Sequence, residues 1–118
     1  MEKIIEIGSK KVPFKCTGGF LLRYKEITGR DPIKDIFDLS KVLQKKESIL
    51  FDDLRPIYDI LYVLAKTADP NIPDIYDWLD SFEEFPVVDI MDEIMPLISA
   101  SFSSKLMPNA KKKMIAKT

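Results

Sequence analysis

The feature that most constrains this sequence is the segment 54–68, whose apolar side chains would cover most of the circumference of a helix. Six of its side chains recur at helical spacing: Leu54, Ile57, Tyr58, Leu61, Ala65 and Ala68. Ile60, Tyr62 and Val63 widen this stripe beyond the arc that one neighbouring element can cover. We therefore expect a central helix that is capped at Asp52 or Asp53, with the rest of the chain packed around it.

A β-hairpin is predicted before the helices. Two short extended stretches, 3–7 and 10–16, flank Gly8 and Ser9, a pair that suits a two-residue hairpin turn, and the second stretch alternates in polarity from residue 11 to residue 16. Pro13 has no backbone N–H to donate, so we expect its strand to be an edge at that point. The hairpin must pack on the helices or pair with another chain, because an isolated hairpin is marginally stable in water.

Start and stop signals divide the segment between the hairpin and the central helix. Thr17 is expected to cap a first helix, residues 18–28, and Gly29 to end it in a left-handed conformation. Asp31 is a typical N-cap residue, and Pro32 is a typical first helical residue. Together they predict a second helix to about residue 44. The side chains expected to face inward here are Phe20, Tyr24, Ile27, Ile33, Ile36 and Phe37.

Two further helices follow the central one. Asp74 is expected to cap a short fourth helix that carries Trp78, and Pro86 to open a fifth helix to about residue 105. The expected fold class is therefore mainly α: a single domain of about five helices with an N-terminal two-stranded β-hairpin. Residues 1–105 form this domain, and residues 106–118 are expected to be a basic flexible tail.

The charge is unevenly distributed along the chain. Residues 1–30 carry seven basic and three acidic side chains, residues 31–98 carry six and sixteen, and residues 99–118 carry five and none. One interpretation is an ordinary solvated surface with a disordered tail. The other is self-association, in which the basic ends of one copy meet the acidic body of another.

Few residues suited to catalysis or metal binding are present. The chain has no histidine, which is the commonest metal ligand and general base, and its single cysteine, Cys16, is expected to be a small buried hydrophobe. No glycine-rich phosphate-binding motif is present, so we expect no enzyme, no cofactor and no metal site. The basic tail lacks an aromatic residue for base stacking, which argues against nucleic acid. The longest apolar run has six residues, which argues against a membrane span.

The fifth helix is the candidate partner-binding element. Its apolar side chains span about half of the cylinder, more than the arc of about 100° that a core-facing helix needs. One flank is therefore open to a partner, unless the helix is enclosed on both sides by its own bundle. Val88 and Met95 lie on one edge of the stripe, and Ile90 and Leu97 lie on the other. The candidate residues are Val88, Ile90, Met91, Met95, Leu97 and Phe102.

The order of these elements resembles the tail assembly chaperones of long-tailed bacteriophages and prophages. The resemblance is carried by TGGFLLRYKEITGRDPIKDI after the basic hairpin, by DDLRPIYDILYVLAKTAD, and by DIYDWLDSFEEF. It covers residues 3–104, nearly the whole chain.

The resemblance implies a non-enzymatic protein of the host bacterial cytoplasm. Such chaperones bind the long tape measure protein and keep it soluble during tail assembly. It also implies a longer product made by ribosomal frameshifting, for which an adenine-rich codon run at Lys111–Lys113 is one candidate position. Homo-oligomers are predicted separately, from the hairpin edge and from the opposed charges of the ends and the body. The alternative is a generic helical adaptor or a small phage or bacterial regulatory protein.

Overall fold

The computed structural model describes residues 1–44 and 51–106, with side chains at residues 1–41 and 55–101. The strands are β1 (Glu2–Ile7) and β2 (Lys10–Lys15). The helices are α1 (Phe20–Thr28), α2 (Pro32–Gln44), α3 (Phe51–Ala68), α4 (Ile75–Asp80) and α5 (Val87–Leu106). The predicted fold class, a mainly helical domain with an N-terminal hairpin, is confirmed.

The two strands form an antiparallel hairpin with one buried face. Gly8 takes the positive φ of 63° that the two-residue turn requires. Ile5 lies opposite Val12, and Lys3 lies opposite Phe14. The apolar side chains of the inner face, Ile5, Ile7, Val12 and Phe14, join the core, where β2 packs against α3 and β1 against α5.

The turn between α1 and α2 follows the local signals closely. Gly29 is the left-handed residue that ends α1, with φ 74°, and its N–H donates to the carbonyl of Lys25. The Asp31 carboxylate then accepts hydrogen bonds from the N–H groups of Ile33 and Lys34. This carboxylate therefore satisfies two of the unpaired donors at the start of α2.

The expected cap at Thr17 is wrong. Helix α1 begins at Phe20, and its N-cap is Gly19, with no side-chain hydrogen bond. The Thr17 hydroxyl accepts the N–H of Gly19 at 3.2 Å and so closes a turn before the helix. A Thr hydroxyl bonds equally well to a turn N–H two residues on, and sequence alone does not choose between the two.

Helix α3 is the central element, as its apolar pattern predicted. Ile57, Ile60, Leu61, Val63 and Leu64 are all fully buried. The helix already begins at Phe51, so the expected caps Asp52 and Asp53 lie in its first turn. The hairpin, α1, α2 and α5 all contact it, which is why its apolar stripe spans so much of the cylinder.

Three side chains predicted to face inward are on the surface instead. Ile27 and Ile33 are each 44% exposed, and Phe37 is 53% exposed. The buried side of α2 is formed by Asp35, Ile36 and Leu39. Because successive helical residues are 100° apart, Ile33 and Phe37 lie more than a quarter turn away from that side.

The second half of the fold agrees with its local signals. The Asp74 carboxylate accepts the N–H of Tyr76 and caps α4. The Pro86 carbonyl accepts the N–H of Ile90, so α5 opens where expected. The side chains of Leu54 and Phe102 and the tail after Leu106 lie outside the described residues, so the predicted domain boundary near residue 105 is not tested.

Candidate partner-binding surface

The two edges of the apolar stripe on α5 differ in their exposure to solvent. Ile90, Met91 and Leu97 are buried, at 2%, 0% and 6% exposure. Val88 and Met95 are half-buried and pack against the margin of the core. In the single chain the hairpin and α3 enclose that side of α5, so Ile90, Met91 and Leu97 are not on the surface, and their contact with a partner stays a prediction. Of the described candidates, only Val88 and Met95 remain accessible.

A second apolar surface lies on α2, where the sequence predicted core residues. Ile33 and Phe37 are one turn apart and therefore share a face of the helix. They are two of seven exposed large apolar side chains in the described part of the chain. The sequence signal that could have revealed them is the width of the apolar stripe on α2. Ile36 and Leu39 alone already cover the arc that contacts one neighbouring element, so Ile33 and Phe37 belong to a second part of the stripe.

An aromatic cluster supports the start of α5. The Trp78 ring lies 5.6 Å from Tyr62, 5.4 Å from Phe82 and 5.5 Å from Phe85, measured between ring centroids. Tyr58 stacks on Phe85 at 6.1 Å. The edge-to-face geometry is favourable for aromatic pairs and fixes the loop between α4 and α5 against α3. The half-buried edge of α5 is thereby presented on a rigid support.

An open cleft of about 440 Å³ lies between the hairpin turn and this loop. Lys10 closes one side of it: its Nζ donates to the Ser81 carbonyl at 2.8 Å and lies 4.9 Å from the centroid of the Phe82 ring. Glu83 and Glu84 also line the cleft. Lys10 thus ties the hairpin turn to the loop between α4 and α5.

A buried charge network joins α1, α2 and α3. The Asp35 carboxylate accepts hydrogen bonds from the Tyr24 hydroxyl at 2.5 Å and from Arg30 Nε at 2.8 Å. Arg30 Nε also lies 4.0 Å from Asp59 Oδ2, and Arg55 Nε donates to Asp59 Oδ1 at 3.1 Å. Both carboxylates are 2% exposed, so two arginines balance two buried negative charges.

The two carboxylates of this network differ electrostatically. Burial alone would raise the pKa of Asp35, but the hydrogen bonds from Arg30 and Tyr24 outweigh it and lower the pKa. Burial raises the pKa of Asp59 despite the attraction of Arg55. Among the described buried side-chain atoms, Asp59 Oδ2 has no hydrogen-bond donor, which agrees with its weaker stabilisation. This arrangement ties α1, α2 and α3 together.

Cys16 is buried, as expected, and its burial raises the pKa of the thiol. No group of three or more His, Cys, Asp or Glu side chains in the described ranges is placed to hold a metal ion. Within residues 1–44 and 51–106, no helix is long and apolar enough to cross a membrane.

Searches of protein-family models, of curated proteins and of solved structures found no match to this chain.

Proposed function

We propose that this chain is a non-enzymatic phage tail assembly chaperone. It binds an apolar helical segment of the tape measure protein in the host bacterial cytoplasm and keeps that protein soluble. The observation that carries the proposal is the exposed pair Ile33 and Phe37 on one face of α2. Apolar anchors at i and i+4 are the spacing with which one helix contacts another.

The half-buried edge of α5 is a second contact in this proposal. Val88 and Met95 lie on one edge of the apolar stripe of α5, and the other side of that helix is enclosed. Methionine adapts to partners of varied shape, because its side chain is unbranched and polarizable. Two small apolar surfaces of this kind favour modest affinity per copy, which suits a holder that must later release its partner.

The resemblance to tail assembly chaperones supports the choice of partner. The three sequence segments that carry it fall on α1 and α2, on α3, and on α4. The acidic body between residues 31 and 98 would keep a complex with an apolar partner soluble. Homo-oligomers and a frameshifted longer product are part of the same proposal.

The test is co-expression with a candidate tape measure protein and measurement of its soluble fraction. The double variant Ile33→Asp/Phe37→Asp and the single variant Met95→Asp place charge on the two proposed surfaces. The matched control is Leu22→Asp, because Leu22 is 78% exposed and lies on α1, a different helix from either surface. A charge buried in an apolar interface is costly, whereas an exposed charge is not.

The expected result is loss of solubilisation in the double variant, with unchanged thermal stability and with full activity in the Leu22→Asp control. Leu97→Asp should instead unfold the domain, because Leu97 is 6% exposed. Full solubilisation by both the Ile33→Asp/Phe37→Asp and the Met95→Asp variants would refute the proposed surfaces. No solubilisation by the wild-type chain would refute the function.

A further inference from the structure

The outer edge of β1 carries backbone groups that the hairpin ladder does not use. The amino group of Met1 donates to the carbonyl of Cys16, and the N–H of Cys16 donates to the carbonyl of Met1, both at 2.8 Å. Doubly bonded and non-bonded pairs alternate along an antiparallel ladder. The N–H and C=O groups of Glu2, Ile4 and Glu6 therefore point away from β2. Outside the ladder, no backbone hydrogen bond of the described residues involves these three.

The side chains along this edge form an acidic–apolar–acidic row. Ile4 is 62% exposed, and Glu2 and Glu6 lie two residues to either side of it on the same exposed face. Neither carboxylate forms an ion pair with a cation in residues 1–41 or 55–101. Opposite charges at facing positions of neighbouring strands stabilise a sheet. The edge therefore favours a strand with a basic, an apolar and a basic residue at alternate positions.

A second copy of this chain fits the edge poorly. If β1 pairs antiparallel with β1 of a second copy and Ile4 faces Ile4, then Glu2 lies opposite Glu6 of the second copy, and like charges at facing positions destabilise a sheet. Antiparallel pairing with β2 of a second copy avoids that repulsion, but it repeats the whole domain every two strands, or about 10 Å. The shortest extent of the chain is 28 Å, so copies spaced in this way would overlap.

We propose that the outer edge of β1 is a docking site for an extended segment of a partner protein with a basic–apolar–basic pattern. The two basic residues lie opposite Glu2 and Glu6, and the apolar residue lies opposite Ile4. In this mode of recognition, the main-chain hydrogen bonds supply affinity and the alternate side chains supply specificity. The site is on the hairpin, not on α2 or α5, so this inference does not rest on the proposed function.

An NMR titration of the full chain with two capped heptapeptides tests the proposal. The probe SKTITKS carries the expected pattern, and the control SETITES differs from it only in the sign of its two charges. The reporters are the amides of Ile4 and Glu6, whose exchange with solvent should slow when a third strand binds. The amide of Ile5 bonds to β2 in either state, so it reports whether the hairpin is folded.

We expect the basic peptide to bind about tenfold or more tightly than the acidic one, because two facing pairs change from attraction to repulsion. A titration to about 10 mM peptide is sufficient to detect a Kd in the millimolar range.

The decisive variant is Glu2→Lys/Glu6→Lys, which should reverse the preference between the two peptides. Its matched control is Glu26→Lys/Asp80→Lys, which makes the same change of charge on exposed side chains of α1 and α4 and should keep the preference. Ile4→Pro removes the outward N–H without removing a bond to β2, and an edge strand tolerates proline at such a position. This variant should weaken the binding of the basic peptide while the hairpin stays folded.

Three results would overturn the proposal. One is an absence of any effect of SKTITKS on Ile4 and Glu6 while the amide of Ile5 is protected, and another is equal binding of the two peptides. The third is protection of Ile4 and Glu6 before any peptide is added, because the chain itself would then cover the edge. Loss of that protection on dilution would assign the covering strand to a second copy. None of these results bears on the solubility of the tape measure protein, so the proposed function is tested separately.

Discussion

Replacing Asp35 with Asn removes one charge from the buried network without changing the volume of the side chain. Three hydrogen bonds end on this carboxylate, from the Tyr24 hydroxyl at 2.5 Å and from Arg30 Nε and Nη2 at 2.8 and 3.2 Å. An amide can accept only on one of its two terminal atoms. At least one of the three donors in the Asp35→Asn variant therefore faces another donor.

The expected loss of stability follows from these contacts and from burial. A hydrogen bond to a charged group contributes about 1.5–3 kcal/mol, and removing one partner of a fully buried ion pair costs about 3–5 kcal/mol. The Arg30 side chain is 41% exposed, so water can solvate its guanidinium once the carboxylate is gone. We therefore expect Asp35→Asn to cost about 2–3 kcal/mol, near the lower of the two ranges.

Asp38 on the same helix provides a matched control. Its carboxylate pairs with Lys34 at 2.8 Å, but the two side chains are 45% and 70% exposed. An exposed pair of this kind contributes little to stability, so Asp38→Asn should be nearly neutral. Urea denaturation at pH 7 measures both free energies of unfolding from the midpoint and slope. Equal losses in the two variants would refute the assigned role of the buried network.

The pH dependence gives an independent check on the same residue. The pKa of Asp35 is lowered in the folded protein from its ordinary value of 3.8. Its contribution to stability is therefore present above that value and is lost as the pH falls through the lower, folded pKa. The difference between wild type and Asp35→Asn should be full at pH 7 and shrink below about pH 4. A difference that stays constant down to pH 2 would contradict the direction of this shift.

Three further predictions concern the core, the turn after α1 and self-association. Leu61→Ala should lower the free energy of unfolding by about 2–5 kcal/mol in urea denaturation, because Leu61 is fully buried, whereas Leu22→Ala should cost little. A loss of less than about 1 kcal/mol for Leu61→Ala would contradict its central position. Gly29→Ala should lower the thermal midpoint, because φ is 74° there and a left-handed residue with a Cβ costs about 1 kcal/mol, and Gly18→Ala is the control without positive φ. Sedimentation at low salt should show species larger than the monomer that dissociate as salt screens the basic ends from the acidic body, and a strict monomer at high concentration would contradict self-association.

The sequence alone determined the features that depend on neighbouring residues. Gly8 and Gly29 mark two positive-φ turns. Asp31 caps α2, and Asp74 caps α4. These effects act over two to four residues, because a backbone N–H at a helix start is satisfied by a side chain nearby. The central position of α3 was readable for a related reason: a stripe that wide has to be buried on several sides.

Only the tertiary structure decided which side of each wide apolar stripe is enclosed. Helix α2 presents Ile36 and Leu39 to the core and leaves Ile33 and Phe37 outside, because the Asp35 carboxylate binds Tyr24 and Arg30 on the inner side. On α5, the hairpin and α3 bury Ile90 and Leu97 and leave Val88 and Met95 at the margin.

The burial of Asp35 and Asp59 was equally hidden in the sequence. These residues are 24 positions apart and look like ordinary solvated carboxylates on two helices. In the fold they are buried next to two arginines: Arg30, in the turn between α1 and α2, reaches both carboxylates, and Arg55 donates to Asp59. A contact of this kind depends on how three helices pack in space, and a periodic pattern along a single helix carries no information about that packing.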